Sequence, residues 1–221
     1  MKIGPIDLEW IAENLDQIGE LVVEHIYLTL LAIGIGMVIS FGLALVIRRW
    51  KALQGPIIGA TATLYVIPSL AMFALLVPIT GLTSIVTAEI ALVSYTLLIL
   101  TRNTVEGLNG VPDDTVEAAT GVGYTPMQRL FRVELPLALP VIVAGIRIAT
   151  VTTIGLVTVT ALIGFGGLGY LIVTIGINRG SFGITATLTG VVLVVALAIV
   201  ADLALLALQR ALTPWARRRA G

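Results

Sequence analysis

The feature that most constrains the fold is a series of long apolar segments that alternate with short polar stretches. A run of about 20 apolar residues forms a helix that is long enough to cross a bilayer. Only 12% of the residues are charged, whereas soluble domains carry about 25%. We therefore predict an all-α, polytopic membrane protein in contact with lipid. Its five expected transmembrane helices are at about 25–47, 56–77, 82–101, 137–163 and 190–208.

The positions of the basic residues predict the orientation of these helices. Cytoplasmic flanks of membrane helices are enriched in Lys and Arg. If the N-terminus lies outside the cell, only Lys2 and Arg179 remain outside. We expect a multi-pass protein of the cell membrane with a basic cytoplasmic tail, 209–221. The residues that would then face or flank the cytoplasm are Arg48, Arg49, Lys51, Arg102, Arg129, Arg132, Arg210 and Arg217–Arg219.

Residues 1–24 precede the first apolar segment and are rich in Asp and Glu. Their apolar residues recur at intervals of three and four, as on one face of an amphipathic helix. We predict an external segment that lies on the membrane surface, with a solvated tail as the alternative. The apolar stripe consists of Ile11, Leu15, Ile18 and Val22.

The stretch 117–136 is polar enough to lie in water, although apolar segments flank it. Asp114 and Glu117 have the spacing of a pair that caps the start of a helix. Gly121 and Gly123 can end that helix, because glycine adopts left-handed backbone angles. A second helix would begin with a Thr cap, a Pro and a Gln. Its residues are Thr125, Pro126 and Gln128, and Pro136 and Pro140 would close the unit.

The same stretch resembles the EAA loop of ABC-importer permeases. The matching residues are Glu117-Ala118-Ala119, Gly123, Val133 and Leu135-Pro136, with Val133 in place of the usual isoleucine. The resemblance implies a type I ABC permease fold whose cytoplasmic coupling helix docks on a separate ABC ATPase, which would bind the ATP. An ordinary amphipathic connector is the alternative. The residues assigned to coupling are Glu117, Ala118, Ala119, Gly123, Gln128, Arg129, Leu135 and Pro136; Gln128 and Arg129 would hydrogen-bond the ATPase.

A second resemblance concerns the solute. The segment 67–71 resembles the corresponding segment of permeases that import glycine betaine, carnitine, choline or proline. Its residues are Ile67-Pro68-Ser69-Leu70-Ala71. Further similar blocks cover most of 60–170, although methionine-type and other importers share parts of them. This resemblance implies an extracytoplasmic substrate-binding protein and either a second copy of the chain or a homologous permease. A permease for a methionine-type or other amino-acid importer is the alternative.

Several residues are candidates for the translocation path. Pro68 removes a helical hydrogen bond, so we expect a kink that frees carbonyl groups beside Tyr65 and Ser69. Glycine-rich backbone at membrane depth is tolerated where protein or a cavity covers it. We predict a gate there that bulky residues would block without harming assembly, or else a flexible external loop. The glycines of this segment are Gly164, Gly166, Gly167 and Gly169.

Ionisable residues inside a membrane are rare and need an explanation. Glu89 would either contribute to a polar path or have a structural role. Asp202 is interpreted as structural, and Arg147 as pairing with an acid or with carbonyl groups. His25 is expected to lie at the membrane interface. The aromatic residues that could hold a quaternary ammonium appear scattered along the sequence: Tyr65, Phe73, Tyr95, Phe165 and Tyr170.

Two ridges of small residues predict close helix packing. One has small residues at every fourth position of the first span, and the other lies in the fourth span. Either ridge would supply a pairing face for a homodimer. The first ridge consists of Ala32, Gly36, Ser40 and Ala44, and the second of Gly145, Ala149 and Thr153.

The sequence argues against enzymatic functions. A phosphate-binding loop needs a lysine after its glycines, and neither Lys2 nor Lys51 has that context. One histidine and no cysteine leave no multi-histidine or thiolate metal site. The net charge of zero suggests no attraction to nucleic acid. We therefore expect no catalytic residue, metal or cofactor in this chain. The alternatives to an ABC permease are an ATP-independent channel or carrier and a scaffolding membrane subunit.

Overall fold

Helices account for nearly all of the residues that the computed structural model describes, which are 2–3, 6–177 and 182–214. Two short strands, β1 (Lys2–Ile3) and β2 (Ile6–Asp7), pair antiparallel at the N-terminus. Arg179 and Arg217–Arg219, which entered the orientation argument, lie outside the described residues. The predicted basic tail is therefore described only as far as residue 214.

The described part of the chain contains nine α-helices and four segments of other helical types. The α-helices are α1 (Leu8–Glu13), α2 (Leu15–Arg49), α3 (Gln54–Val66), α4 (Ser69–Thr80), α5 (Ile85–Asn109), α6 (Asp113–Gly121), α7 (Pro126–Arg129), α8 (Leu135–Val157) and α9 (Gly183–Leu212). The 3₁₀ turns are Lys51–Leu53 and Thr158–Ile163, and the π turns are Leu130–Glu134 and Tyr170–Ile177.

Four stretches are long and apolar enough to cross a membrane: α2, α5, α9 and the continuous helix from Pro126 to Ile163. The pair α3–α4 would be a fifth span, but it bends by 96° at its break. The predicted all-α architecture is therefore present, and the count of five holds when the bent pair is counted as one span.

The break between α3 and α4 is sharper than the predicted kink. Proline disfavours helical angles at the preceding residue, and Ile67 accordingly has ψ 125°, followed by Pro68 with ψ 136°. The carbonyl oxygen of Ile67 accepts a hydrogen bond from the Tyr95 hydroxyl at 2.6 Å. The carbonyl that the break frees is therefore satisfied by α5.

The N-terminal region differs from the predicted surface helix. The short helix α1 ends at Glu13, and residues from Leu15 onwards belong to α2, which has 35 residues. At 1.5 Å per residue α2 is about 52 Å long, well over the ~30 Å of a hydrocarbon core. Ile18 is 7% exposed and packs in a cluster with Leu168 and Leu171. Part of the apolar stripe therefore faces protein rather than the membrane surface.

The small residues of α2 pack against α5. Ala32, Ser40 and Ala44 are at most 1% exposed. A methyl group added at Gly36 would lie 2.1 Å from the Thr96 hydroxyl oxygen. Both ridges therefore serve packing within the subunit, and the predicted use of them as a homodimer face was wrong. In the second ridge, Gly145 packs against Asn103 of α5, and Ala149 and Thr153 are 1% exposed.

The contacts between helices give the direction of each one. On α2, Ala32 belongs to a cluster with Leu92, and Ile47 to one with Val105, so α2 and α5 run in the same direction. Arg147 of α8 donates a hydrogen bond to Asp202 of α9. Further along α9, Gln209 donates to the carbonyl oxygen of Pro140, which lies earlier in α8. The two helices therefore run antiparallel. We call the end that carries residues 110–134 the loop end. We call the end that carries residues 164–170 the glycine end.

Candidate functional site

The loop end begins with α6, whose start differs from the predicted capping pair. Pro112 precedes the helix and no side chain caps it, so Asp114 lies inside the first turn. The acids Asp113 and Asp114 stabilise the start of the helix, because the helix dipole places partial positive charge there. The helix ends at Gly121, and Gly123 has φ +94°. The predicted glycine turn is confirmed.

The second helix, α7, has the predicted start. The Thr125 hydroxyl accepts from the Gln128 backbone N–H at 3.3 Å, and the Gln128 side chain accepts from the Thr125 N–H at 3.0 Å. This reciprocal pair completes a capping box. Pro136 does not close the unit, because α7 continues through a π turn into α8, and Pro140 lies inside α8.

A buried carboxylate, Glu134, lies at the centre of the loop end. It is 2% exposed. Its Oε1 accepts from Arg48 Nη2 at 2.7 Å and from Arg129 Nε at 2.8 Å. Arg129 Nη1 also donates to the Thr120 hydroxyl at 2.9 Å. We call Arg48, Arg129 and Glu134 the ion cluster.

The ion cluster changes the interpretation of two predicted docking residues. The Arg129 guanidinium is bonded to Glu134 and Thr120, and the Gln128 side chain oxygen is bonded within the capping box. Both side chains therefore hold the loop together. Sequence reasoning missed Glu134, although a lone acid between apolar residues, with arginines nearby at the same membrane face, is a signal for a buried ion pair.

The exposed surface of the loop is apolar in places. Glu117 and Ala118 are exposed, whereas Ala119 is buried and Leu135 and Pro136 are half-buried. Large apolar side chains in a polar loop would also have been a sequence signal, because such exposure marks interaction sites. We call the exposed set the loop crest. It consists of Val122 (81% exposed), Tyr124 (36%), Met127 (64%) and Phe131 (51%).

The path candidates around the α3–α4 break lie on one side of α5. Tyr65 packs edge-on against Tyr95 with ring centroids 6.3 Å apart. Phe165 is far from these residues in the sequence, but it packs against a cluster that contains Phe73 and Tyr95. Four of the five scattered aromatic residues therefore come together here. Phe73 and Tyr95 are only 3% and 6% exposed, so they belong to the packed core. Pro68 is exposed and Ser69 is half-buried, whereas Tyr170 joins another cluster.

The glycine end is closely packed backbone. Gly166, Gly167 and Gly169 are buried, whereas Gly164 is exposed with φ +88°. A Cβ on Gly167 would lie 2.6 Å from the His25 Cβ, and one on Gly169 would lie 2.2 Å from the Thr158 carbonyl oxygen. We therefore expect bulky residues at Gly166 or Gly167 to disturb this packing, whereas the sequence prediction was that they leave assembly intact.

The buried side chains near the glycine end have different surroundings. His25 is 0% exposed, and its Nε2 donates to the Ile154 carbonyl oxygen at 3.0 Å, so the prediction of an interfacial histidine was wrong. Glu89 is 7% exposed, and neither of its oxygens has a hydrogen-bond partner among the described residues. It lines a groove of about 570 Å³ between α2 and α5 with Tyr27, Leu31 and other mainly apolar side chains.

The other ionisable residues in the membrane helices form a pair. Arg147 Nε and Nη2 each donate to an oxygen of Asp202 at 2.9 Å, a bidentate contact that joins α8 to α9. This confirms the structural interpretation of Arg147 as paired with an acid. Across the ranges 2–3, 6–177 and 182–214, no group of three or more His, Asp or Glu side chains lies close enough to hold a metal ion.

Known proteins similar to this chain cover nearly its whole length. The osmoprotectant import permease protein OsmW of Salmonella typhimurium is 38% identical over 211 residues, which are 94% of this chain and 97% of that protein. The choline transport system permease protein OpuBB of Bacillus subtilis is 39% identical over 197 residues, covering 89% of this chain and 88% of that protein.

The fold also matches a solved transporter. A chain of the MetNI methionine ABC transporter, in an inward-facing conformation, superposes with a TM-score of 0.73 at 24% identity. The match covers 93% of this chain and 98% of that chain. A family model, the binding-protein-dependent transport system inner membrane component, matches residues 32–218. This chain therefore belongs to the family of binding-protein-dependent transport system inner membrane components.

Proposed function

We propose that this chain is the permease subunit of an ATP-driven importer for a small quaternary-amine osmoprotectant such as glycine betaine, choline or carnitine. The observation that carries the proposal is its similarity, over nearly the whole chain, to permeases named for osmoprotectants and choline. A glycine betaine/carnitine/choline permease of Bacillus subtilis, 36% identical over 192 residues, adds a third such relative. The likeness to the methionine transporter concerns the fold, so it favours no amino-acid substrate.

The proposed orientation places the loop end in the cytoplasm and the N-terminus outside. Basic residues of the described chain are concentrated at the loop end, as expected of a cytoplasmic face. They include Arg48, Arg49 and Lys51 at the end of α2 and Arg129 and Arg132 in the loop. Among the basic residues that the structure describes, Lys2 lies on the opposite side.

The loop crest is the proposed docking surface for a separate ABC ATPase. Its apolar side chains project from a loop that the ion cluster and the capping box hold in shape. Burying them against a partner would remove apolar surface from water, worth roughly 25 cal/mol per Å². Glu117, exposed on the adjacent helix, would add a charged contact. Gly123 would set the angle between α6 and α7 and so position the crest.

The remaining partners follow from the family's mode of action. An extracytoplasmic binding protein would deliver the solute at the glycine end, and a second permease, identical or homologous, would complete the path. The apolar face of α9, with Val195, Ile199 and Leu203 more than half exposed, is available for lipid or for that second permease. We assign no tight substrate site to this chain, because Phe73 and Tyr95, two of the four aromatic residues that come together, are buried in the core.

The experiment that tests this function measures uptake and ATPase capture together. Cells that lack their own osmoprotectant uptake would express the chain with its ATPase and binding protein, and take up radiolabelled choline, glycine betaine or methionine. We expect ATP-dependent uptake of a quaternary amine and none of methionine. The variant Met127→Asp should lose co-purification of the ATPase and lose uptake, because a charge replaces a docking side chain.

The matched control is Met127→Leu, which keeps an apolar side chain of similar size and should retain both properties. Uptake that continues after ATP depletion would contradict the proposal and favour a channel or carrier. Methionine uptake with no quaternary-amine uptake would contradict the proposed substrate class alone. Deletion of the chain without any loss of uptake would favour a scaffolding subunit.

A further inference from the structure

Glu134 touches three separate elements of the loop end. It belongs to the π turn that leads into α8, and it accepts hydrogen bonds from Arg48 at the end of α2 and from Arg129 at the end of α7. Arg129 in turn donates to Thr120 of α6 at 2.9 Å. One carboxylate therefore connects the end of α2 with both helices of the loop.

The backbone connects the loop to α5 and α8 but not directly to α2. The helix from Pro126 to Ile163 is continuous, so α8 follows any displacement of α7. The chain between Asn109 and Asp113 ties α6 to α5. By contrast, α2 is separated from the loop along the chain by α3, α4 and α5. It follows the loop through non-covalent contacts: its small residues pack against α5, and the ion pair of Arg48 with Glu134 ties its end directly to the loop.

Burial makes this connection strong. Glu134 is 2% exposed, and the side chains of Arg48 and Arg129 are 32% and 23% exposed. Removing one side of a buried ion pair leaves uncompensated charge, which costs far more than an exposed pair contributes. The ion cluster therefore resists separation. Since arginine side chains have several rotatable bonds, the cluster can also tilt without breaking.

We infer that Glu134 is the positioning residue that makes α2 move with the coupling loop and α8. The inference rests on the proposed function, since it concerns how docking of an ATPase acts on the membrane helices. When the ATPase displaces the loop, α8 moves through its continuous backbone and α2 moves through Glu134. Without the carboxylate, the ATPase would hydrolyse ATP while α2 lagged behind the loop.

The test uses the purified importer in lipid vesicles and measures the ratio of ATP hydrolysed to solute transported. We expect Glu134→Gln to raise this ratio at least fivefold in complexes that still assemble. The variant Arg48→Met should raise it similarly, and the double variant should be no worse than Glu134→Gln, because both changes break one link. The control is Glu106→Gln, at an acid that is 61% exposed on α5 and should leave the ratio unchanged.

A second measurement follows the movement directly. The chain contains no cysteine, so spin labels can be placed at Val38 on α2, 75% exposed, and at Val141 on α8, 38% exposed. In the wild type we expect the distribution of distances between the two labels to remain narrow with and without ATP. In Glu134→Gln the distribution of distances should broaden when ATP is added.

In the transport experiment, Arg48→Lys, which keeps the charge, should give an intermediate ratio of ATP hydrolysed to solute transported.

The outcomes separate this inference from the proposed function. A wild-type complex that shows no ATP-driven uptake would overturn the proposed function. A wild type that couples normally, with Glu134→Gln equally well coupled, would overturn the inference alone. Loss of assembly in Glu134→Gln together with a normal ratio in Arg48→Lys would also overturn it, because the residue would then be needed only for folding.

Discussion

The loop end and the glycine end are both closely packed, but different interactions hold them. At the loop end, long charged side chains meet around Glu134, and apolar side chains of the crest remain exposed. At the glycine end, the backbone of Gly167 lies against the backbone of Leu21 and His25 of α2. Side-chain contacts can adjust by rotation about single bonds, whereas contacts between backbones cannot. The loop end is therefore suited to displacement, and the glycine end to a fixed joint.

The buried carboxylates at the two ends also differ in their hydrogen-bond partners. Glu134 is 2% exposed and has two arginine partners, whereas Glu89 is 7% exposed and has no hydrogen-bond partner among the described residues. A buried polar group without a partner costs free energy, and one with charged partners holds elements together. The comparison predicts opposite consequences when each carboxylate is removed.

The largest effect is expected at the glycine end, from Gly167→Val. Gly167 has φ +46°, and its added Cβ would lie 2.7 Å from both the His25 nitrogen and the Leu21 carbonyl oxygen. We expect the free energy of unfolding to fall by more than about 4 kcal/mol, which is the range of severe core defects. The subunit should therefore fail to accumulate. Immunoblotting of membrane fractions measures this.

The control for this change is Gly155→Ala. Gly155 lies in α8, and no atom is found within 4 Å of its added Cβ, so accumulation should be normal. If Gly167→Val instead accumulated at wild-type levels and blocked uptake, the glycine end would act as a gate and our fixed-joint interpretation would fail.

An intermediate effect is expected at the loop end, from Gly123→Val. Gly123 has φ +94°, but no atom lies within 4 Å of its added Cβ, so the change introduces backbone strain without a clash. Such strain costs about 1–2 kcal/mol, roughly a tenfold change in an equilibrium. The subunit should accumulate, whereas ATPase co-purification and uptake should fall by about tenfold.

The matched control is Gly121→Ala, which also has free space around it and no positive φ. Both its accumulation and its ATPase binding should be close to wild type. Equal behaviour of the two variants would show that the left-handed turn at Gly123 does not position the crest.

The smallest effect is expected from Glu89→Met. Replacing an unpartnered buried carboxyl with an apolar side chain should stabilise the subunit by about 1–3 kcal/mol, which raises its thermal midpoint in detergent. Uptake should remain near wild type. The same change at Glu134 should lower the midpoint. A folded Glu89→Met protein without uptake would instead support a role for Glu89 in the translocation path.

Local features of this protein could be predicted from its sequence. The apolar segments, the glycine turn at Gly123 and the capping box of Thr125 and Gln128 all arise from residues within a few positions of one another. Such patterns depend on backbone angles and on hydrogen bonds between near neighbours, so the amino-acid order is sufficient. The family resemblance of the loop was likewise readable, because all residues of its motif lie within the single stretch 117–136.

Contacts between distant residues were decided by the tertiary structure. Arg48 and Glu134 are 86 positions apart, and Arg147 and Asp202 are 55 positions apart. The sequence shows each charge but not its partner, because pairing depends on which helix faces meet. The packing of α2 against α5 and against the glycine end likewise depends on how all the helices assemble together. Arg129 and Glu134 are only five positions apart, but the burial of Glu134 between Arg129 and Arg48 depends on α2 lying beside the loop.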